Sequence, residues 1–193
     1  MQFLLSANAG EVLVFTLAVA LGLGAPLSVL QVLVLNLLTD GPPALALGTD
    51  PPARDVMRRS PRPLREGLLR PIAARLAVGG LLMGVAGFAA FLLGRAESDA
   101  HGQTMAYATL VLAQLVYVFA VRGDAPAWRA ARNPALALAV AASAAFGLVT
   151  LTVGPVAERL GVVALSTAQL AAVLGLALVP FAGAELQKAW RRR

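Results

Sequence analysis

No cysteine occurs in the sequence, and histidine and lysine occur once each, as His101 and Lys188. Without cysteine there are neither disulfides nor thiolate metal sites, and the redox compartment stays open. Charge is scarce as well: 13% of residues are Asp, Glu, Lys or Arg, against about a quarter in ordinary globular chains. It gathers by segment, and long stretches carry none. These shortages exclude a soluble domain. What fills the chain is apolar, with 59% of its 193 residues hydrophobic and a mean hydropathy of +0.76. The net charge of +6 does not point to nucleic acid, because the basic residues sit in short connections between apolar runs, where membrane topology accounts for them. No signal peptide is expected: the N-terminus lacks a basic region, and the first apolar stretch carries Asn8 and Glu11.

A hydrocarbon core about 30 Å thick needs ~20 apolar residues per helix, and six segments qualify. They fall at about 3–23, 26–48, 71–94, 104–121, 134–153 and 166–186. The expected fold is all-α, a polytopic membrane bundle of six transmembrane helices. Only Gly24 and Ala25 separate the first two segments, which predicts an antiparallel hairpin. An Arg- and Pro-rich loop spans 49–70, with Arg54, Arg58, Arg59, Arg62, Arg65 and Arg70. Arg122, Arg129 and Arg132 follow the fourth segment, and Lys188, Arg191, Arg192 and Arg193 end the chain. The loops at 95–103 and 154–165 offer only Arg95 and Arg159. Six spans place every basic-rich connection and both termini on one side, which the positive-inside rule makes cytoplasmic. Gly79, Gly80, Gly84 and Gly87 in the third segment predict close helix–helix approach. The Ala-rich fifth segment shows no polar stripe and carries no assigned chemistry.

The chain is organised around residues 32–55. There an apolar run meets Asn36, Thr39 and Asp40, is expected to break at Gly41, Pro42 and Pro43, and leaves through Asp50, Pro51 and Pro52. A carboxylate within a bilayer span is expensive and by default marks an ion pathway. A break at that depth is tolerated only where the freed backbone faces protein or a water-filled cavity. At i, i+3 and i+4, the Asn36, Thr39 and Asp40 side chains share one helical face. In the first segment Asn8 and Glu11, at i and i+3, do the same. Of ten acidic residues only Glu11 and Asp40 lie well inside spans. The hairpin would bring two carboxylates, two amides and a hydroxyl together with carbonyls of the Gly41–Pro42 break, and Gln114 in the fourth segment would add an oxygen. Hard oxygen donors suit a hard cation, and calcium takes 6–8 of them at about 2.3–2.6 Å.

Plainer readings stand beside this one. Asn8 and Glu11 also fit a hydrated cytoplasmic extension of the first helix, and Gln114 fits an ordinary interhelical hydrogen bond. Ser6, Thr16, Gln31, Thr109, Ser143, Thr150 and Gln169 read as helix–helix glue. His101 reads as a solvated loop residue, and Tyr107, Tyr117, Trp128 and Trp190 as packing or interface anchors.

The stretch LLSANAGEV at 4–12, followed by QVLVLNLLTDGPPALALGTDPPARDVMRRSPRPLREGLL at 31–69, closely resembles P-type cation-transporting ATPases, most of all calcium pumps of the sarcoplasmic-reticulum type. The likeness runs over the fifth to tenth membrane helices of that family and is strongest over residues 4–69. There the fifth helix carries an Asn-x-x-Glu ligand pair, matched by Asn8 and Glu11. The sixth carries Asn-x-x-Thr-Asp, matched by Asn36, Thr39 and Asp40. Pro51, Pro52, Asp55, Met57 and the run from Arg59 to Pro63 match the pattern that follows. Two-site calcium pumps place a Glu in the eighth helix after a Thr-Met-Ala start. Here Thr104, Met105 and Ala106 are present, but the matching position is Gln114, which leaves the number of ions per cycle open.

The resemblance implies a metal-binding set of Asn8, Glu11, Asn36, Thr39, Asp40 and Gln114, with calcium as transported ion and manganese as second choice. It also implies an integral membrane protein, with a bacterial plasma membrane as the expected location. The chain has no Asp-Lys-Thr-Gly-Thr phosphorylation motif and no fourth-helix Pro-Glu-Gly-Leu-Pro stretch. ATP and Mg2+ would therefore act only through nucleotide-binding, actuator and phosphorylation domains outside it. Its partners would be the lipid bilayer and that remainder of the pump, the first four helices included. The chain is then expected to be a fragment, a split-gene product or a truncated gene, with Met1 an internal methionine. The rival expectations are a stand-alone non-enzymatic membrane subunit or ion-leak bundle, and a secondary transporter. The last predicts an internal inverted repeat, and no convincing one is found.

Overall fold

The computed structural model describes residues 1–51, 72–123 and 125–191. The basic loop expected over 49–70 lies outside the described residues from residue 52 on, as do Asp124, Arg192 and Arg193. All regular structure among the described residues is helical. In chain order the helices are α1 (Gln2–Ala20), α2 (Val29–Val34), a π-helical stretch (Leu35–Asp40), α3 (Gly41–Leu47), α4 (Ala73–Arg95), α5 (Asp99–Ala120), α6 (Pro134–Thr152), α7 (Gly154–Leu160) and α8 (Thr167–Arg191). A short 3-10 turn covers Ala127–Arg129. Six helices are long and apolar enough to cross a membrane, with Val29–Leu47 counting as one. At 1.5 Å per residue even the 19-residue spans reach ~28 Å, about the thickness of the hydrocarbon core.

The second span does not break at Gly41-Pro42-Pro43. Gly41 keeps right-handed helical dihedrals, φ −58° and ψ −60°, and the two prolines sit in the first turn of α3. In an α-helical register the carbonyls of Leu38 and Thr39 would need N–H groups from residues 42 and 43, which prolines lack. Just before these prolines the chain widens into a π turn over residues 35–40, the kind of local defect that concentrates at functional sites.

Other boundaries also differ from expectation. α1 ends at Ala20, and Gly22 and Gly24 take left-handed φ of 66° and 81°, so the hairpin connection is longer than two residues. α5 begins at Asp99 because the Ser98 hydroxyl accepts the His101 backbone N–H at 3.2 Å, an N-cap. His101 therefore lies in the first turn of α5, not in a loop. Its ring reaches Ser98 Oγ at 2.8 Å and Glu97 Oε1 at 3.3 Å. The 154–165 connection contains α7.

α5 is the central helix, buried along most of its length, and α4 packs between it and α1. Without water to drive apolar surfaces together, membrane helices associate through close packing, and small residues allow it. A Cβ on Gly80 of α4 would stand 2.9 Å from Ala9 Cβ and 3.3 Å from Ser6 O, and one on Gly10 of α1 2.9 Å from Met83 Cβ. Ser6 and Tyr117 join α1 to α5 at 3.3 Å, and Tyr107 and Thr150 join α5 to α6 at 3.0 Å. Gln31 instead completes a capping box with Ser28 and donates to Leu160 O at 3.1 Å. α6 and α8 expose Leu138, Leu174 and Leu178 outward.

Hydrogen bonds between connections fix the alternation of the spans. At one end Arg95 donates to Leu23 O, Gln103 Nε2 to Ala25 O at 3.0 Å, and Gln169 Nε2 to Glu97 Oε2 at 2.8 Å. At the other, Asp50 meets Arg122 and Asn133, Lys188 Nζ donates to Ala125 O at 3.0 Å, and Gln187 Nε2 to Ala74 O at 3.4 Å. The second end also carries the chain start, Arg129, Arg132 and Arg191.

Candidate functional site

Glu11 projects from the middle of α1 and is 6% exposed. Each of its carboxylate oxygens accepts one side-chain hydrogen bond. Asn36 Nδ2 donates to Oε2 at 2.9 Å, and Gln114 Nε2 donates to Oε1 at 2.9 Å. A single carboxylate thus ties α1 to the π-helical stretch and to α5. Asn36 Nδ2 is shared with Val32 O at 3.1 Å, which leaves the Asn36 Oδ1 face of the amide free to accept.

Asp40 ends the π turn and is 1% exposed, yet both of its carboxylate oxygens lack a hydrogen-bond partner among the described residues. Gln114 Oε1, on a side chain with no exposure, also has none. Buried polar atoms are nearly always paired, and each exception needs a reason. Here the three orphaned acceptors belong to Asp40 and to Gln114, which already donates to Glu11. Thr39, fully buried beside Asp40, donates to Leu35 O at 2.5 Å and keeps its hydroxyl lone pairs. Unpaired acceptors around two carboxylates are a donor set for a cation. Among the described residues no three His, Cys, Asp or Glu come together. A divalent ion here would rest on two carboxylates supplemented by amide and hydroxyl oxygens, a hard all-oxygen set.

Of the six residues expected to act together, Glu11, Asn36 and Gln114 are joined directly, and Thr39 and Asp40 are buried in the same π stretch as Asn36. Asn8 is not drawn in: it lies exposed one turn before Glu11, with no side-chain hydrogen bond among the described residues. The expected contribution of an unwound Gly41–Pro42 backbone is replaced by the π turn.

Sequence reasoning missed a polar node at the end of the second span. Asp50 receives Arg122 through Nη2–Oδ1 at 2.8 Å and Nε–Oδ2 at 3.0 Å. Asn133 Nδ2 donates to Asp50 Oδ1 at 2.7 Å and to Ala46 O at 3.2 Å, while its Oδ1 caps α6 through Leu136 N at 2.9 Å. Burial by itself would raise the Asp50 carboxyl, but hydrogen bonds from Arg122 and Asn133 together with the arginine charge outweigh it and hold the group below its ordinary value. Only the cap was legible beforehand, as Asn before Pro at a helix start.

Residues 24–190 match a family model described as cation transporting ATPase, C-terminus. The chain is 39% identical over 187 residues to a calcium-transporting ATPase of Bacillus subtilis (strain 168), covering 93% of this chain and 21% of that protein. It is 32% identical over 207 residues to calcium-transporting ATPase 1 of Bacillus cereus (strain ATCC 10987 / NRS 248), covering 96% and 23%. An endoplasmic reticulum-type calcium-transporting ATPase 4 of Arabidopsis thaliana is 41% identical over 93 residues, 48% of this chain and 9% of that protein. The chain therefore spans about a fifth of the length of the bacterial relatives it matches.

Proposed function

Because the chain belongs to the family of cation-transporting ATPase C-terminal segments, an integral membrane helix bundle, we propose that it forms the ion-binding and translocating part of an ATP-driven cation pump with calcium as its cargo. The observation that carries the reading is the pairing of Glu11, held by Asn36 and Gln114, with Asp40, whose two buried oxygens have no partner of their own. The calcium-transporting relatives support calcium; manganese, another oxygen-seeking divalent ion, is the second cargo to test. Glu11, Asn36, Thr39, Asp40 and Gln114 supply the donors. Asn8, one turn before Glu11 on α1, is exposed and makes none of these contacts.

Transport follows from which elements carry the donors. Glu11 rides on α1, Asn36 and Asp40 on the π turn, and Gln114 on α5. Moving α1 against the π turn parts Glu11 from Asn36 and dismantles the site, so a conformational change driven elsewhere would release the ion. The driving step, ATP hydrolysis with Mg2+, belongs to domains outside this chain, which are its partners along with the lipid bilayer. The end bearing Arg122, Arg129, Arg132 and Arg191 faces the cytoplasm by the positive-inside rule. The bacterial relatives support a plasma-membrane location.

The test is calcium-dependent formation of phosphoenzyme from ATP, in membranes holding this chain together with the ATP-hydrolysing domains. Asp40→Asn should abolish it while leaving membrane insertion unchanged. Normal calcium-dependent phosphoenzyme in that variant would overturn the assignment.

A further inference from the structure

From the node beyond the bilayer-spanning part of the second span, we infer that Asp50, Arg122 and Asn133 are positioning residues, which set the affinity of the cation site by fixing where the Asp40-bearing helix ends. The inference rests on the transport reading above. α3 is only seven residues long, follows a π turn and carries two prolines in its first turn, so regular i to i−4 bonding toward α2 is interrupted just where Asp40 sits. With that connection weakened, its far end becomes the stronger anchor. There Asn133 grips Ala46 O and Asp50 together, and its 3.4 Å contact with Thr49 Oγ1 adds to the hold. Arg122 clamps Asp50 with a two-point fork and anchors itself on Ala131 O at 2.6 Å.

The pair is well enclosed, with side-chain exposures of 9% for Arg122 and 20% for Asp50, so water competes weakly for it. Arg122 lies two residues past the end of α5, the helix that carries Gln114. The second span and α5 are therefore linked at two levels: directly at Asp50–Arg122, and in the bilayer through Asn36, Glu11 and Gln114. A clamp at one level sets the register at the other. If the clamp opens, Asp40 loses its fixed distance from Glu11 and Gln114, while every ion-binding side chain remains present.

Two readouts test this. The chain has no cysteine, so spin labels can be placed at Leu45 on α3 and Leu81 on α4, which are 80% and 55% exposed. Pulsed electron-spin distance measurements on the full chain in lipid nanodiscs should give one narrow distance. Asp50→Asn and Arg122→Ala should each broaden it, and an unchanged distribution in both would overturn the clamp.

The second readout is the calcium dependence of phosphoenzyme in the assembled pump. The half-saturating calcium concentration should rise roughly ten-fold in either variant, within the range of coupling between distinct sites, with the maximal level kept. The double variant should be no worse than the singles, since both remove one interaction, and Asp50→Glu should recover part of the affinity. A fall in maximal level at constant half-saturation would mean a merely structural bond and overturn the positioning role. A wild-type assembly with no calcium-dependent phosphoenzyme would sink the transport reading, and the positioning role with it, while the distance measurement would still report on the clamp.

Discussion

Replacing Asp40 with leucine should make the ion-free chain more stable while destroying its response to calcium. Asp40 is 1% exposed and both of its oxygens are unpaired. Leaving a buried polar group unsatisfied costs about 1–3 kcal/mol. Leucine has the branched outline of an aspartate, so the change swaps two orphaned oxygens for two methyl groups. Some overpacking offsets the gain, because methyl groups are larger than carboxylate oxygens. The net should be about 2 kcal/mol in favour of the variant, or roughly 4–8 °C in Tm for a chain of this size. The assay is thermal unfolding in lipid nanodiscs, with chelator and with saturating calcium. Wild type should melt lower than Asp40→Leu in chelator and should gain from calcium, as any ligand that binds only the folded state stabilises it. A variant that melts at or below wild type in chelator would refute the claim that the site is held against its own stability. So would a calcium-induced gain equal to wild type's.

Two further predictions concern the supporting structure. Arg122→Ala leaves Asp50 with only Asn133 and should cost about 2 kcal/mol, below the full penalty for a completely buried pair because the Asp50 side chain keeps 20% of its exposure. Since the folded-state Asp50 carboxyl lies below its ordinary value of 3.8, its stabilisation is present above that value and is lost as pH falls through it toward the folded-state value. The loss of stability on acidification past 3.8 should therefore be shallower in Arg122→Ala, read as Tm against pH. Gly80→Val places carbon where Ala9 Cβ is 2.9 Å away and should lower stability by about 1–3 kcal/mol through overpacking. Gly175→Ala, which meets nothing within 4 Å, should not; equal losses in the two would contradict the close α1–α4 packing.

The six spans were legible because the bilayer imposes a length of ~20 apolar residues, and each span stands between charged or Gly- and Pro-rich connections. Glu11 and Asp40 stood out for the same reason, as the two carboxylates well inside those spans. What pattern reading could not supply was the response of the backbone. Gly41-Pro42-Pro43 signals a missing pair of N–H donors, but whether the helix unwinds or widens depends on packing around residues 35–40, and here it widens. The start of α5 hung on one hydroxyl, Ser98, which no apolar periodicity reveals. The Asp50–Arg122–Asn133 node joins residues 72 and 83 positions apart. Each looks like an ordinary loop residue until the bundle sets three span ends side by side. Asn8 shares a helical face with Glu11 by spacing, but it lies exposed among the described residues.

The most direct test of the account is equilibrium binding of radioactive calcium to the assembled pump, compared among wild type, Glu11→Gln, Asp40→Asn and Gln114→Ala. Saturable binding should be present in wild type, lost in both carboxylate variants, and retained with weaker affinity in Gln114→Ala, which removes a neutral donor and one hydrogen bond to Glu11. Wild-type affinity in Glu11→Gln and Asp40→Asn would place the ion elsewhere and contradict the central claim.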